Sequence, residues 1–206
     1  MRFYSRFAAI AVAAGLMLVA QQAVAACNPE DALFEDEFEF LDVSWGVSDD
    51  SLYVEDGVLI VDGSGGIVNF DTQNTGANVC ADVTILEAPK IANSPVGLVF
   101  WWKDWDNYYS MFIWADGWVE VRRIVNGDSK ALFTEETLAL KKGVGETNQI
   151  ELDLKPKDAT LIINGTKVKR FKGRQPKDGG VVGFYGISPE DAPATFAFDN
   201  FVVNEH

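Results

Sequence analysis

Four of the six Trp residues, Trp101, Trp102, Trp105 and Trp114, fall between positions 101 and 114 together with Tyr108 and Tyr109, and Trp118 follows closely. If the turn Ala115-Asp116-Gly117 has three residues, Ile113 pairs with Val119 and Met111 with Val121, and these four point inward. The opposite face then carries Tyr108, Ser110, Phe112 and Trp114 beside Trp118, Glu120 and Arg122. Flat rings mixed with one acid and one Arg suit sugar binding, because sugar C–H faces stack on rings while carboxylate and guanidinium hydrogen-bond to hydroxyls. The candidate ligand-binding set is therefore Trp101, Tyr108, Phe112, Trp114, Trp118, Glu120 and Arg122. The competing reading is that these rings fill the core, and a register slip of one residue would exchange the two faces.

Other chemistry is narrower. The only His is His206, at the C-terminus, which leaves no Ser-His-Asp triad and no His-based zinc site. Gly63-Ser64-Gly65-Gly66 lacks the following helix and Lys of a phosphate-cradling loop. The formal net charge is −14, so nucleic acid and anionic membrane surfaces are not expected partners.

The N-terminus has the layout of an export signal. Arg2 and Arg6 precede an uncharged apolar stretch from Phe7 to Ala20, and Gln21, Gln22 and the small residues Ala23 to Ala26 follow. This predicts a cleavable signal peptide over residues 1–25, with the site after Ala25. A transmembrane anchor needs about 20 apolar residues, and this stretch is shorter. Residues 26–206 then form a single domain, periplasmic or secreted, with no stable membrane insertion after cleavage. Cys27 and Cys80 would meet an oxidising compartment, where an isolated pair forms a disulfide. The alternative is lipidation of Cys27 in Val24-Ala25-Ala26-Cys27, which would leave Cys80 a free thiol.

The elements that must position these residues are strands. Behind the leader, short runs rich in Val, Ile, Phe, Tyr and Trp alternate with clusters of Gly, Asn, Asp and Pro. The runs are Phe34–Glu37, Leu52–Glu55, Val58–Asp62, Ile67–Phe70, Val79–Glu87, Gly97–Lys103, Tyr108–Ala115, Trp118–Val125, Gln149–Lys155, Thr160–Ile163, Thr166–Lys172, Gly180–Tyr185 and Ala194–Val203. Asn164-Gly165, Asp56-Gly57 and Asn126-Gly127 supply the positive φ of tight hairpin turns. Glu135–Leu140 reads as a turn and Ser188–Pro193 as a loop. The class is all-β, a two-sheet sandwich or barrel.

Several segments taken together resemble a known family. They are Leu33 to Phe40, Gly97-Leu98-Val99-Phe100 followed by Asp106-Asn107-Tyr108-Tyr109, the Asn164-Gly165 hairpin and the closing Phe198-Asp199-Asn200-Phe201. The order is similar to the concanavalin A-like lectin/glucanase jelly roll, in particular the 3-keto-disaccharide hydrolase/laminin G-like group, over Phe34 to Val203. The resemblance implies two antiparallel sheets face to face, adjoining first and last strands, and a carbohydrate site on the outer face of a curved sheet. Relatives carry Arg where this chain has Trp101, which implies a changed or lost ligand. The glucanase motif places two or three carboxylates on one strand, but Glu151-Leu152-Asp153 lacks the third and reads as a solvated strand face. A structural calcium is the one cofactor the resemblance suggests, with Asp36 and Asp199 as candidate ligands on adjoining strands. The expectation is a non-catalytic exported module binding carbohydrate or cell-envelope glycan. The alternatives are a glycoside-active enzyme using Glu120, or a structural or adhesion protein of the envelope.

Overall fold

Short runs in which every second side chain is apolar can coat one face of a sheet, and two such sheets can share a core. The computed structural model describes residues 27–206, so the signal peptide expected over residues 1–25 lies outside the described residues. Within them, the alternating runs become fourteen strands. They are β1 (Phe34–Asp36), β2 (Leu52–Glu55), β3 (Val58–Asp62), β4 (Gly65–Asn74), β5 (Ala77–Glu87), β6 (Val96–Asp104) and β7 (Asn107–Ile113). The rest are β8 (Trp118–Val125), β9 (Asp128–Glu136), β10 (Thr147–Lys155), β11 (Asp158–Ile163), β12 (Thr166–Lys172), β13 (Gly180–Gly186) and β14 (Thr195–Glu205). Among the described residues no helix is long and apolar enough to cross a membrane.

All pairings are antiparallel, in one sheet ordered β12-β11-β10-β5-β14-β3-β2 and a second ordered β4-β13-β6-β7-β8-β9. The first strand also adjoins the last: Phe34 lies opposite Val203 and Asp36 opposite Phe201, while β3 takes the other half of the same edge of β14. A bulge between Asp199 and Val202 separates the halves. The result is the expected jelly-roll sandwich.

Inward residues of both sheets meet in one core. Val79, Ala81, Val83, Ile150, Leu152, Leu154, Phe196 and Phe198 face Leu98, Phe100, Met111, Val121 and Phe184. Its aromatic centre is tightly stacked, with Phe184 at 4.2 Å from Phe198 and 5.1 Å from Trp45 between ring centroids. The turns follow from their sequences. Asp56, Asn126 and Asn164 have φ near 50° and the Gly after each is also positive, which is the two-residue turn that matches strand twist. Asn164 is further committed, since its Nδ2 donates to Ala139 O and Asn148 Oδ1, both at 2.8 Å.

The structure differs from the sequence reading at β9. Glu135 and Glu136, expected in a turn, are the last residues of a strand at the edge of the second sheet, with Glu120 opposite Thr134. Its residues are mostly exposed, so the alternation that marks a half-buried strand is weak there. Cys27 and Cys80 form a disulfide with Cα atoms 6.1 Å apart, on the outer face of the first sheet. That bond leaves no thiol at Cys27 for lipidation.

Candidate functional site

The β7–β8 hairpin has the register its turn dictates. Ile113 lies opposite Val119 and Met111 opposite Val121, and all four are core residues. Phe112 opposite Glu120 and Ser110 opposite Arg122 therefore stand on the outer face of the six-stranded sheet.

Across that face runs an unbroken chain of ring contacts. Phe70 on β4 packs edge-on against Trp102 at 5.6 Å, and Trp102 against Trp105 at 5.7 Å. Trp105 sits on the tight turn between β6 and β7 and folds back over the sheet, meeting Tyr108 at 5.5 Å and Tyr185 at 5.9 Å. Tyr185 passes the chain to Phe112 at 5.7 Å, and Phe112 to Trp114 at 6.3 Å. The contacts of Phe70, Trp102, Trp105 and Tyr108 and that of Phe112 with Trp114 are edge-to-face, a favoured geometry of aromatic pairs, while the two through Tyr185 are tilted. The backbone makes room for the fold-back at Gly66, where a Cβ would lie 2.5 Å from the Trp105 ring. Water still reaches this face: in the chain Phe70 is 64% exposed and Trp105 45%, and beside it Trp118 is 43% exposed.

Two sequence candidates are repositioned. Trp101 is 1% exposed and belongs to the core, because a bulge after Phe100 and a φ of 47° at Trp101 turn its side chain inward. There it packs edge-on against Tyr109 at 4.9 Å and under Gly173, where a Cβ would come within 2.1 Å of its ring. Trp102 takes the outer place. Phe112 is on the expected face but is also 1% exposed, covered by its ring neighbours and by Arg122, whose guanidinium lies 5.8 Å from the ring centroid. It supports the face without reaching its surface. Trp102, Trp105, Phe70 and Tyr185 join the site. Tyr185 comes from a strand far away in sequence, which local pattern cannot reach.

At the Trp114–Trp118 end the polar groups converge. Glu120, nearly buried, accepts from Arg122 Nε on one oxygen and from Thr134 Oγ1 at 2.7 Å on the other. Thr134 belongs to β9, so missing that strand hid it. Trp114 is oriented by its Nε1, which donates to Ala92 O at 3.1 Å. Glu120, Thr134, Ala92 and Asp116 line a groove of about 250 Å³ with Trp114 and Trp118. A second, of about 260 Å³, is bounded by Trp105, Tyr108, Tyr185 and the Ser64–Gly66 backbone. Burial, with the adjacent Tyr185 adding to it, pushes the Tyr108 hydroxyl up to about 12. At neutral pH Tyr108 is thus an uncharged phenol able to donate a hydrogen bond.

The remaining candidates are held by other partners. Asp36 accepts from Phe38 N and from Trp45 Nε1, each at 2.8 Å. Asp199 and Asp82 are bridged by Asn200, whose Nδ2 donates to both, at 3.3 and 2.9 Å. Protein N–H donors thus engage both oxygens of Asp36 and of Asp199. Among the described residues, no group of three or more His, Cys, Asp or Glu is arranged to hold a metal. Glu151, read as solvated, is 9% exposed, and burial followed by the nearby Asp153 charge raises its carboxyl above the ordinary value.

No family model and no curated protein matches the sequence. Solved structures do match in fold. The carbohydrate-binding module CBM66 from Bacillus subtilis aligns over 74% of this chain and 85% of its own, with TM-score 0.54 and 15% identity. The catalytic domain of an endo-1,3-beta-glucanase (laminarinase) from Thermotoga petrophila aligns over 84% of this chain and 96% of its own, with TM-score 0.60 and 8% identity. The GH43 protein BlXynB from Bacillus licheniformis aligns with TM-score 0.64 and 12% identity over 87% of this chain, which spans only 40% of that protein. At these identities the likeness is one of fold, a two-sheet jelly-roll sandwich.

Proposed function

We propose that this protein is an exported glycan-binding module whose ligand lies along the aromatic outer face of the six-stranded sheet. The observation that carries the reading is the chain of rings from Phe70 to Trp114, with exposed members flanked by grooves that also hold Glu120, Thr134 and Tyr108. A contiguous apolar surface mixed with a few fixed polar groups is the usual form of a ligand site. Carbohydrate-binding and glycan-hydrolysing proteins share the fold, and the Cys27–Cys80 bond suits an oxidising, extracytoplasmic compartment. A glycan array with residues 26–206 tests the reading, followed by titration of Trp105→Ala and Trp118→Ala. Binding that weakens by about tenfold or more in either variant supports it, whereas an array without any bound glycan removes it.

A second reading has one observation in its favour. Asp116 and Glu120 share the groove between Trp114 and Trp118, and glycosidases of the ordinary kind need two carboxylates. In the 3-keto-disaccharide hydrolase-like alternative Glu120 is the acid. Sugar release that disappears in both Glu120→Gln and Asp116→Asn would establish it; no turnover across a broad glycoside panel would leave binding alone.

A further inference from the structure

The chain has 31 Asp and Glu against 17 Lys and Arg, yet one groove is lined by four cations and no acid. This groove, of about 430 Å³, opens at the end of the sandwich where β6, β7 and β8 meet the segment after β12, and it is lined by Lys103, Arg123, Arg174 and Lys177. Elsewhere Lys90, Arg122, Lys142, Lys155, Lys169 and Arg170 each sit against a carboxylate, while Lys130, Lys141, Lys157, Lys167 and Lys172 stand singly without one, so it is the gathering of four cations in one groove that sets this site apart. Arg123, Arg174 and Lys177 have no such partner, and Lys103 has only Asp104, at 3.9 Å.

The groove is also braced. Tyr109, 5% exposed and wedged against Trp101, lies under the Arg123 guanidinium at 5.7 Å and accepts a hydrogen bond from Arg174 N at 3.1 Å. Gln175 ties the same segment to β4 through a 2.7 Å bond from its Nε2 to Asn74 O. The indole N–H of Trp101, on the groove's wall, is buried without a partner. Four cations lining one groove, with Asp104 beside Lys103 and Asp178 only in the adjoining groove, carry a net positive charge there that a bound anion would offset.

The groove is continuous with the aromatic face. Lys103, Pro176 and Lys177 line both it and a neighbouring groove of about 460 Å³ that contains Phe70 and Trp102. An occupant spanning the two presents flat, C–H-rich rings to Phe70 and Trp102 and isolated negative groups to the cations. We infer that the ligand is an acidic polysaccharide, whose uronate carboxylates or sulfate esters sit in the Lys103–Arg123–Arg174–Lys177 groove while neighbouring sugar rings lie on the aromatic face. This rests on the glycan reading above and narrows it. Double-stranded nucleic acid carries one negative charge per about 1.7 Å of axis, denser than one uronate per sugar, and the net −14 of the whole chain disfavours it the more.

The test compares polygalacturonate and dextran sulfate with neutral galactan and dextran, at low and high salt. The wild type is titrated beside Arg123→Ala/Arg174→Ala, Lys103→Ala/Lys177→Ala and Trp105→Ala. The four cations are exposed, so the charge variants are expected to unfold at the wild-type denaturant midpoint. An acidic polymer is expected to bind about tenfold more tightly than its neutral counterpart, with the gap closing at high salt and in both charge variants. Preference for polygalacturonate identifies the carboxylate, and preference for dextran sulfate the sulfate ester. Trp105→Ala is expected to weaken acidic and neutral glycans alike. Equal affinity for acidic and neutral polymers, unchanged in the charge variants, overturns the inference and leaves glycan binding standing. No binding to either class removes both. Tighter binding to a single-stranded oligonucleotide or an anionic lipid vesicle than to any polysaccharide overturns the assigned occupant.

Discussion

The two outer faces of this sandwich are finished in opposite ways. On the eight-stranded sheet the outward rows run Gln149–Asp82–Asp199, Glu151–Cys80–Val202 and Asp153–Asn78–Asn204. That face is polar and tied shut. The Cys27–Cys80 bond pins the N-terminal segment there, Asn28 and Asn204 exchange hydrogen bonds of 2.9 and 2.8 Å, and His206 reaches Asp153 at 3.0 Å. On the six-stranded sheet rings pack on rings from Phe70 to Trp114, and Phe70, Trp105 and the neighbouring Trp118 remain open to water. Polar groups satisfied by local partners need nothing further, while a contiguous apolar patch in water gains free energy from whatever covers it. One face contributes to holding the fold, and the other remains available.

The contrast can be broken most strongly at the disulfide. Its partners are 53 residues apart, so loop-closure entropy puts its contribution at about 4 kcal/mol. A Cys27→Ser/Cys80→Ser variant is expected to lose roughly that much in denaturant unfolding while keeping its glycan affinity. A parallel loss of affinity in the folded variant would show that the two faces are coupled. Trp105→Ala makes the reciprocal case, with affinity down about tenfold or more and stability changed by less than about 1 kcal/mol. Gly66→Ala is expected to mimic it, because the added methyl displaces the Trp105 ring; unchanged affinity would mean that the ring's position over β4 is unimportant.

The smallest effect concerns pH. Glu151 has a folded-state pKa above its ordinary value of 4.5, caused first by burial and then by Asp153. Folding therefore disfavours its ionised form. The stability of the protonated form is full below the unfolded value and is lost as pH rises through the raised folded value. Glu151→Gln escapes that loss, so it is expected to melt higher than wild type at neutral pH, by less than about 3 °C, with the margin shrinking on acidification. Asp199 has the same sign, from burial and the adjoining acids. A Gln variant that melts lower at neutral pH would contradict this account of the polar face.

Much of this was legible in the residues. The hairpin turns carry their own φ requirements, and the β7–β8 register follows from one turn length, which placed Tyr108, Phe112, Glu120 and Arg122 on one side. Trp101 was not legible. A single bulge turned it into the core, and a bulge breaks the period on which face assignment depends. The β9 strand was hidden because an exposed edge strand has little apolar alternation to show. Tyr185 and the Lys103–Arg123–Arg174–Lys177 groove come together only through non-local packing, about which spacing along the chain says nothing.

Both ends of the described chain leave from the same side. Cys27 is fastened to the outer surface of the eight-stranded sheet, and His206 lies there too, its N–H donating to Gly76 O at 3.1 Å. A bead, a chip or a fused neighbour attached at either end would therefore hold the molecule by its back, with the aromatic rings turned toward the solution and free to meet a polymer.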